Sequence, residues 1–134
     1  MWSLGPKKHA PIRSLVGEGM VIKGDLLFSD GLRVDGEVTG DVCARDEGTK
    51  SILVISENAR VYGMVKAAHV IINGVVNGSV SSSEMLELQP KARVVGDVRY
   101  ELLEMHPGSI VEGELKPLKS AEKPTLKLAT SKIA

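Results

Sequence analysis

A short unit, aliphatic–x–glycine–x–aliphatic, recurs along the middle of this chain and constrains its fold more than any other feature. It reads Ile22-Lys-Gly24-Asp-Leu26, Val34-Asp-Gly36-Glu-Val38, Val61-Tyr-Gly63-Met-Val65, Ile72-Asn-Gly74-Val-Val76, Val94-Val-Gly96-Asp-Val98 and Val111-Glu-Gly113-Glu-Leu115. A unit this short cannot bury its own apolar face, so copies must stack on one another, and such stacking produces a solenoid. Leu53, Ile55, Ala59, Val61, Gly63 and Val65 overlay Leu86, Leu88, Ala92, Val94, Gly96 and Val98 at a shift of 33 positions. The second set overlays Leu103, Met105, Ser109, Val111, Gly113 and Leu115 at a shift of 17, so 33 is close to two turns of the solenoid. A further pair of stretches, Val34 to Val42 and Ile72 to Val80, is offset by 38. The excess is assigned to Arg45-Asp-Glu-Gly-Thr-Lys50, a polar run without alternation that reads as a loop at one corner.

Within each unit apolar and polar residues alternate with the strand period of two, not the helical 3.6. Val94, Gly96 and Val98 are expected to face inward, and Arg93, Asp97 and Arg99 to face water. The expected fold is all-β, a single-domain β-helix in which each turn is three short strands. Gly24, Gly36, Gly40, Gly63, Gly74, Gly78, Gly96 and Gly113 are read as structural glycines, placed where the chain turns a corner and no Cβ fits. About six turns at the ~4.8 Å strand spacing give a prism on the order of 30 Å long. With one Trp, one Phe and two Tyr, the core must be built from Val, Ile and Leu, whose branched side chains suit stacked ladders.

Residues 20–115 carry the repeat, whereas 1–19 and 116–134 lack it, contain prolines and read as flexible tails. Basic and acidic residues balance at 17 each, which gives no global attraction to nucleic acid, and no nucleic-acid partner is expected. The lone Cys43 cannot form an internal disulfide, and parity places it outward near the polar loop. No apolar run is long enough to span a membrane as a helix, and the start of the chain lacks the apolar core of a secretory signal. His9 lies in a tail and His69 and His106 in two different turns, and the three do not read as a catalytic triad. There is no phosphate-binding Gly-x-x-x-x-Gly-Lys-Ser/Thr loop, so neither a nucleotide nor any other cofactor is expected, and the chain does not read as an enzyme.

The ends of such a solenoid expose unpaired strand backbone together with the apolar residues of the terminal turn. No helix-forming cap precedes Met20 or follows Leu115, so self-association through the ends is expected. The candidate interface is Met20, Ile22 and Leu26 at one end and Leu103, Met105, Val111 and Leu115 at the other. Met1, Trp2 and Leu4 beside Lys7 and Lys8 form an apolar and basic patch suited to an anionic membrane surface. The tail lysines Lys116, Lys119, Lys123, Lys127 and Lys132 are irregularly spaced without interleaved aromatics, and read as a solvated tail.

From about Val21 to Leu115 the sequence resembles the bactofilins, polymer-forming cytoskeletal proteins of bacteria. The resemblance is carried by Leu32-Arg-Val-Asp-Gly-Glu-Val-Thr-Gly-Asp-Val42, Ala59-Arg-Val-Tyr-Gly-Met-Val65, Val70-Ile-Ile-Asn-Gly-Val-Val-Asn-Gly-Ser-Val80 and Ala92-Arg-Val-Val-Gly-Asp-Val98, with doubled glycine units at Gly36/Gly40 and Gly74/Gly78. It implies a right-handed triangular β-helix that assembles end to end into non-polar filaments without nucleotide. It further implies a place in the cytoplasm at the inner membrane, where the filament recruits cell-wall or envelope proteins. The chain departs from the family at Val111, where Phe is usual two residues before the last-turn glycine. The rival reading is a left-handed hexapeptide acyltransferase; the glycine-centred unit and the turn of about 17 residues count against it.

Overall fold

The computed structural model describes residues 11–45 and 50–118. Among these there is no helix, and the strands are β1 (Ile12–Val16), β2 (Val21–Lys23), β3 (Leu26–Phe28), β4 (Gly31–Val34), β5 (Glu37–Thr39), β6 (Val42–Ala44), β7 (Ile52–Ile55) and β8 (Arg60–Tyr62). They continue as β9 (Val65–Ile72), β10 (Val75–Asn77), β11 (Val80–Leu88), β12 (Arg93–Val95), β13 (Val98–Tyr100), β14 (Leu102–Met105), β15 (Ile110–Glu112) and β16 (Leu115–Pro117). Every pairing is parallel, and each strand pairs with its counterparts in the adjacent turns.

The described residues make six turns of three strands. One face stacks β1, β4, β7, the second half of β9, the second half of β11, and β14. The next stacks β2, β5, β8, β10, β12 and β15 as a sheet of its own. The third stacks β3, β6, the first half of β9, the first half of β11, β13 and β16. Because β9 and β11 run unbroken around a corner, the first and third faces merge into one ten-stranded sheet.

The turn length expected from sequence is met: Leu53 pairs with Val70, and Leu86 with Leu103. The longer turn from Leu32 to its partner Leu53 contains residues 46–49, which lie outside the described residues. Alternation also places the side chains as expected. Val94 and Val98 are fully buried while Arg93, Asp97 and Arg99 are exposed. The core is a set of aliphatic ladders, such as Val38, Val61, Val76 and Val94 up the middle face, all inaccessible to solvent.

Two kinds of corner glycine shape the stack. Gly24, Gly40, Gly63, Gly78, Gly96 and Gly113 form a column at the exit of the middle face, and a Cβ on any of the last five would overlap the carbonyl oxygen of the glycine one turn before it. Gly36 and Gly74 belong to a different corner, where some turns insert a four-residue reverse turn and others are two residues shorter. The reverse turns close with Met20 N to Gly17 O, Ala59 N to Ser56 O, Ala92 N to Gln89 O and Ser109 N to His106 O. Gly36 lies over the first of these and Gly74 over the second, and a Cβ on either would strike the carbonyls beneath. The doubled glycine units of the sequence are thus turns that take the short corner and also contribute to the column.

One expectation is corrected. The stretch 1–19, read as tail, contains β1, hydrogen-bonded in parallel to β4. As an edge strand with a register irregularity between Ile12 and Ser14, it buries only Val16, so it carries no period-two signal.

Candidate assembly surfaces at the two ends

Strands β1, β2 and β3 each pair with one neighbour only, and so do β14, β15 and β16. Each end therefore offers a triangle of one-sided strands whose outer backbone groups have no ladder partner among the described residues. The inward ladders are open at the same places. Ile22 and Leu26 at the first turn, and Leu103, Met105 and Leu115 at the last, pack on the core yet remain half-buried. Their register partners one turn inward, Val38, Val42, Leu86, Leu88 and Val98, are completely buried.

The remaining two interface candidates sit differently. Met20 is exposed at a corner, and its sulfur lies 3.3 Å from the amide nitrogen of Gly17. Val111 is buried, at 9% accessibility, so the last turn closes over it more than over its neighbours. Met1, Trp2, Leu4, Lys7 and Lys8, proposed from sequence as the membrane patch, lie outside the described residues.

Exposed large apolar side chains concentrate at the ends. Ile12, Leu15, Met20, Val21 and Leu27 belong to the first turn, and Leu102, Ile110 and Leu118 to the last, leaving only Tyr62 elsewhere among the described residues. Leu15, Val21 and Leu27 occupy the outward parity, one on each face, where the second turn carries Arg33, Glu37 and Cys43. Sequence reasoning by alternation missed these three because it searched for aliphatics on the inward parity. The available signal was aliphatic residues at consecutive positions, Leu15-Val16, Val21-Ile22 and Leu26-Leu27.

Polar side chains bind successive turns along the outside. Asp25 Oδ1 accepts the Asp41 amide at 2.8 Å, Asp41 Oδ1 the Met64 amide at 2.8 Å, and Asp97 Oδ1 the Glu114 amide at 3.1 Å. The Glu114 amide, together with Lys116, holds the Asp97 carboxyl below its ordinary range. On the first face the Ser56 hydroxyl donates to Asp35, and this bond, helped by Arg33 Nε at 3.0 Å, lowers the Asp35 carboxyl in the same way. Burial raises the Cys43 thiol, which makes it a poorer nucleophile. Inside, Ser82 Oγ lies 2.8 Å from Ala68 O and 2.7 Å from Met85 O, satisfying a buried corner.

His69 and His106 are less isolated than their sequence positions implied. His69 Nε2 lies 3.4 Å from Glu84, and His106 Nε2 lies 3.0 Å from Glu87 and 3.5 Å from Glu104. Partners a turn apart in the stack are far apart in sequence, which hid them.

Residues 14–116 match the profile of the family described as bactofilin, polymer-forming cytoskeletal. The chain is 30% identical over 86 residues to bactofilin BacP of Myxococcus xanthus (strain DK1622), covering 64% of this chain and 34% of BacP. It is 24% identical over 102 residues to bactofilin BacO of the same organism, covering 76% of this chain and 77% of BacO. The match thus spans about a third of the first relative. No solved structure matches the chain.

Proposed function

Because the chain belongs to the bactofilin family of polymer-forming cytoskeletal proteins, we propose that it assembles end to end into filaments that require no nucleotide. The observation that carries this reading is the contrast between ladders closed through the middle turns and open at both terminal turns. Completing the burial of a half-buried aliphatic side chain contributes on the order of 1 kcal/mol. Ile22 and Leu26 at one end, and Leu103, Met105 and Leu115 at the other, supply that gain when ends meet, with Met20 and Val111 at the margins of the contact. The family is a structural, cytoskeletal one, which supports this reading over the acyltransferase.

We further propose that the polymer lies in the cytoplasm at the inner membrane, held by Met1, Trp2, Leu4, Lys7 and Lys8, and recruits envelope proteins. Support comes from the chemistry of that segment, in which Trp suits the interface and lysines suit anionic lipid.

The test is electron microscopy and sedimentation of the purified chain and of Met105→Arg, with and without ATP or GTP. Met105 is chosen because its half-open position accepts an arginine in the free subunit, whereas the more buried Val111 would not. An arginine pressed into a dry end contact has no partner. Filaments from the wild type, none from a folded Met105→Arg, and indifference to nucleotide are expected. Filaments from both proteins would refute the placement of the contact, and nucleotide-dependent sedimentation would refute the mechanism.

A further inference from the structure

Near the last turn the stack brings three metal-ligating side chains together. Glu87 lies on β11 and Glu104 is its register partner on β14, while His106 follows β14 at the entry to a reverse turn. One ligand atom from each falls within 4.8 Å of the others. His106 Nε2 lies 3.0 Å from Glu87 Oε2 and 3.5 Å from Glu104 Oε2. An ion that holds its ligands at about 2.0–2.2 Å sets donor atoms roughly 3.0 Å apart at a right angle and roughly 3.5 Å apart at a tetrahedral angle. Both separations therefore lie within the range that the ligands of one ion span, the shorter being a hydrogen bond between His106 Nε2 and Glu87 Oε2.

The surroundings hold the donors there. Gln89 Nε2 donates to Glu87 Oε2 at 3.2 Å. The His106 backbone is fixed by its N–H to Leu88 O at 2.9 Å and by the Ser109 hydroxyl on its carbonyl at 2.8 Å. Two carboxylates directly opposite on neighbouring strands repel each other. A neutral imidazole offers only one N–H from Nε2 to the pair, whereas a dication neutralises both.

We propose that Glu87, Glu104 and His106 bind a divalent transition-metal ion of the zinc class, with water completing the coordination. One imidazole and two carboxylates suit zinc, whereas magnesium and calcium prefer oxygen ligands alone. The ion ties β14 to β11, at a place where β14 has no second strand partner among the described residues. This site rests on its own side chains and stands whether or not the chain polymerises.

The test is calorimetric titration of the full chain with Zn²⁺ and with Mg²⁺, alongside the visible spectrum of added Co²⁺. Zinc should bind at one equivalent in the micromolar range, with magnesium at least about a hundredfold weaker. His106→Ala and Glu104→Gln, both at exposed or half-exposed positions that leave the core intact, should each weaken zinc by at least about tenfold. His69→Gln should leave affinity unchanged, because His69 does not belong to the cluster. Zinc should also slow amide exchange across Leu102 to Met105 in the wild type and not in His106→Ala. Zinc binding no tighter than millimolar, or binding undiminished in His106→Ala, would overturn the site.

Discussion

At the residue scale, the column of glycines is the tightest constraint in the molecule. A methyl on Gly63 would collide with the carbonyl of Gly40, and its backbone has φ +158. Gly24, at the open start of the same column, has φ +131 but nothing within 4 Å of an added Cβ. Gly63→Ala should therefore cost on the order of 3 kcal/mol or more, and Gly24→Ala only the conformational strain of about 1–2 kcal/mol. Urea midpoints check this, and equal losses would mean that overlap is not the cause. The sequence shows that these glycines lie at corners, but not that they form two sets, because the short corner at Gly36 and Gly74 is defined by reverse turns belonging to other turns of the stack. The carboxylates add a pH dependence. Asp97 and Asp35 titrate below their ordinary range when folded, so the unfolded chain takes up their protons first as pH falls. Their contribution is complete above the usual Asp range and is lost as pH falls through the lowered values, below about pH 4. Asp97→Asn keeps an oxygen for the Glu114 amide but loses the titration. Its urea midpoint should fall less than that of the wild type between pH 6 and pH 3; an identical fall would remove Asp97 from the account.

At the scale of the strand, one position has a different value at each level of the stack. Leu88 and Met105 are register partners with the same inward direction, yet Leu88 is inaccessible and Met105 is half-buried. Leu88→Ala should cost about 2–5 kcal/mol, as deletions in filled cores do. Met105→Ala should cost clearly less in the unassembled protein, and denaturation at low concentration measures the difference. Comparable costs would indicate that the last turn is as enclosed as the one before it. Strand direction and facing were legible here because a strand with neighbours on both sides repeats their inward aliphatics, as along Val38, Val61, Val76 and Val94. That condition fails for β1, with a single partner and a register irregularity, and alternation alone therefore read it as tail.

At the scale of the whole molecule, the six-turn architecture was legible from spacing, since contacts between turns recur at separations near 17 except across the turn that holds the polar loop. Chemistry formed between turns was not: His106 meets Glu87 across 19 positions, and no motif search at short range finds that pair. The proposed attachment to lipid also belongs to this scale, because one Trp and two lysines would hold a single copy weakly while a filament would present many copies together. In flotation with anionic liposomes, deletion of residues 2–8 should abolish association and leave polymerisation intact. Met105→Arg should float much less than the wild type. A deletion that floats fully would displace the anchor, and a non-polymerising variant that floats fully would displace the avidity argument.

The stacked glycine carbonyls have a metric consequence. Their close approach leaves no slack along the axis, so the height of the subunit is set by how many layers it contains, each about 4.8 Å thick. Duplication of one internal turn would lengthen the body by one such step while leaving both terminal triangles as they are. Subunit length and joint chemistry are thus separately heritable, and in the proposed filament a lineage of such chains could change the spacing of whatever the polymer carries without redesigning how it is joined.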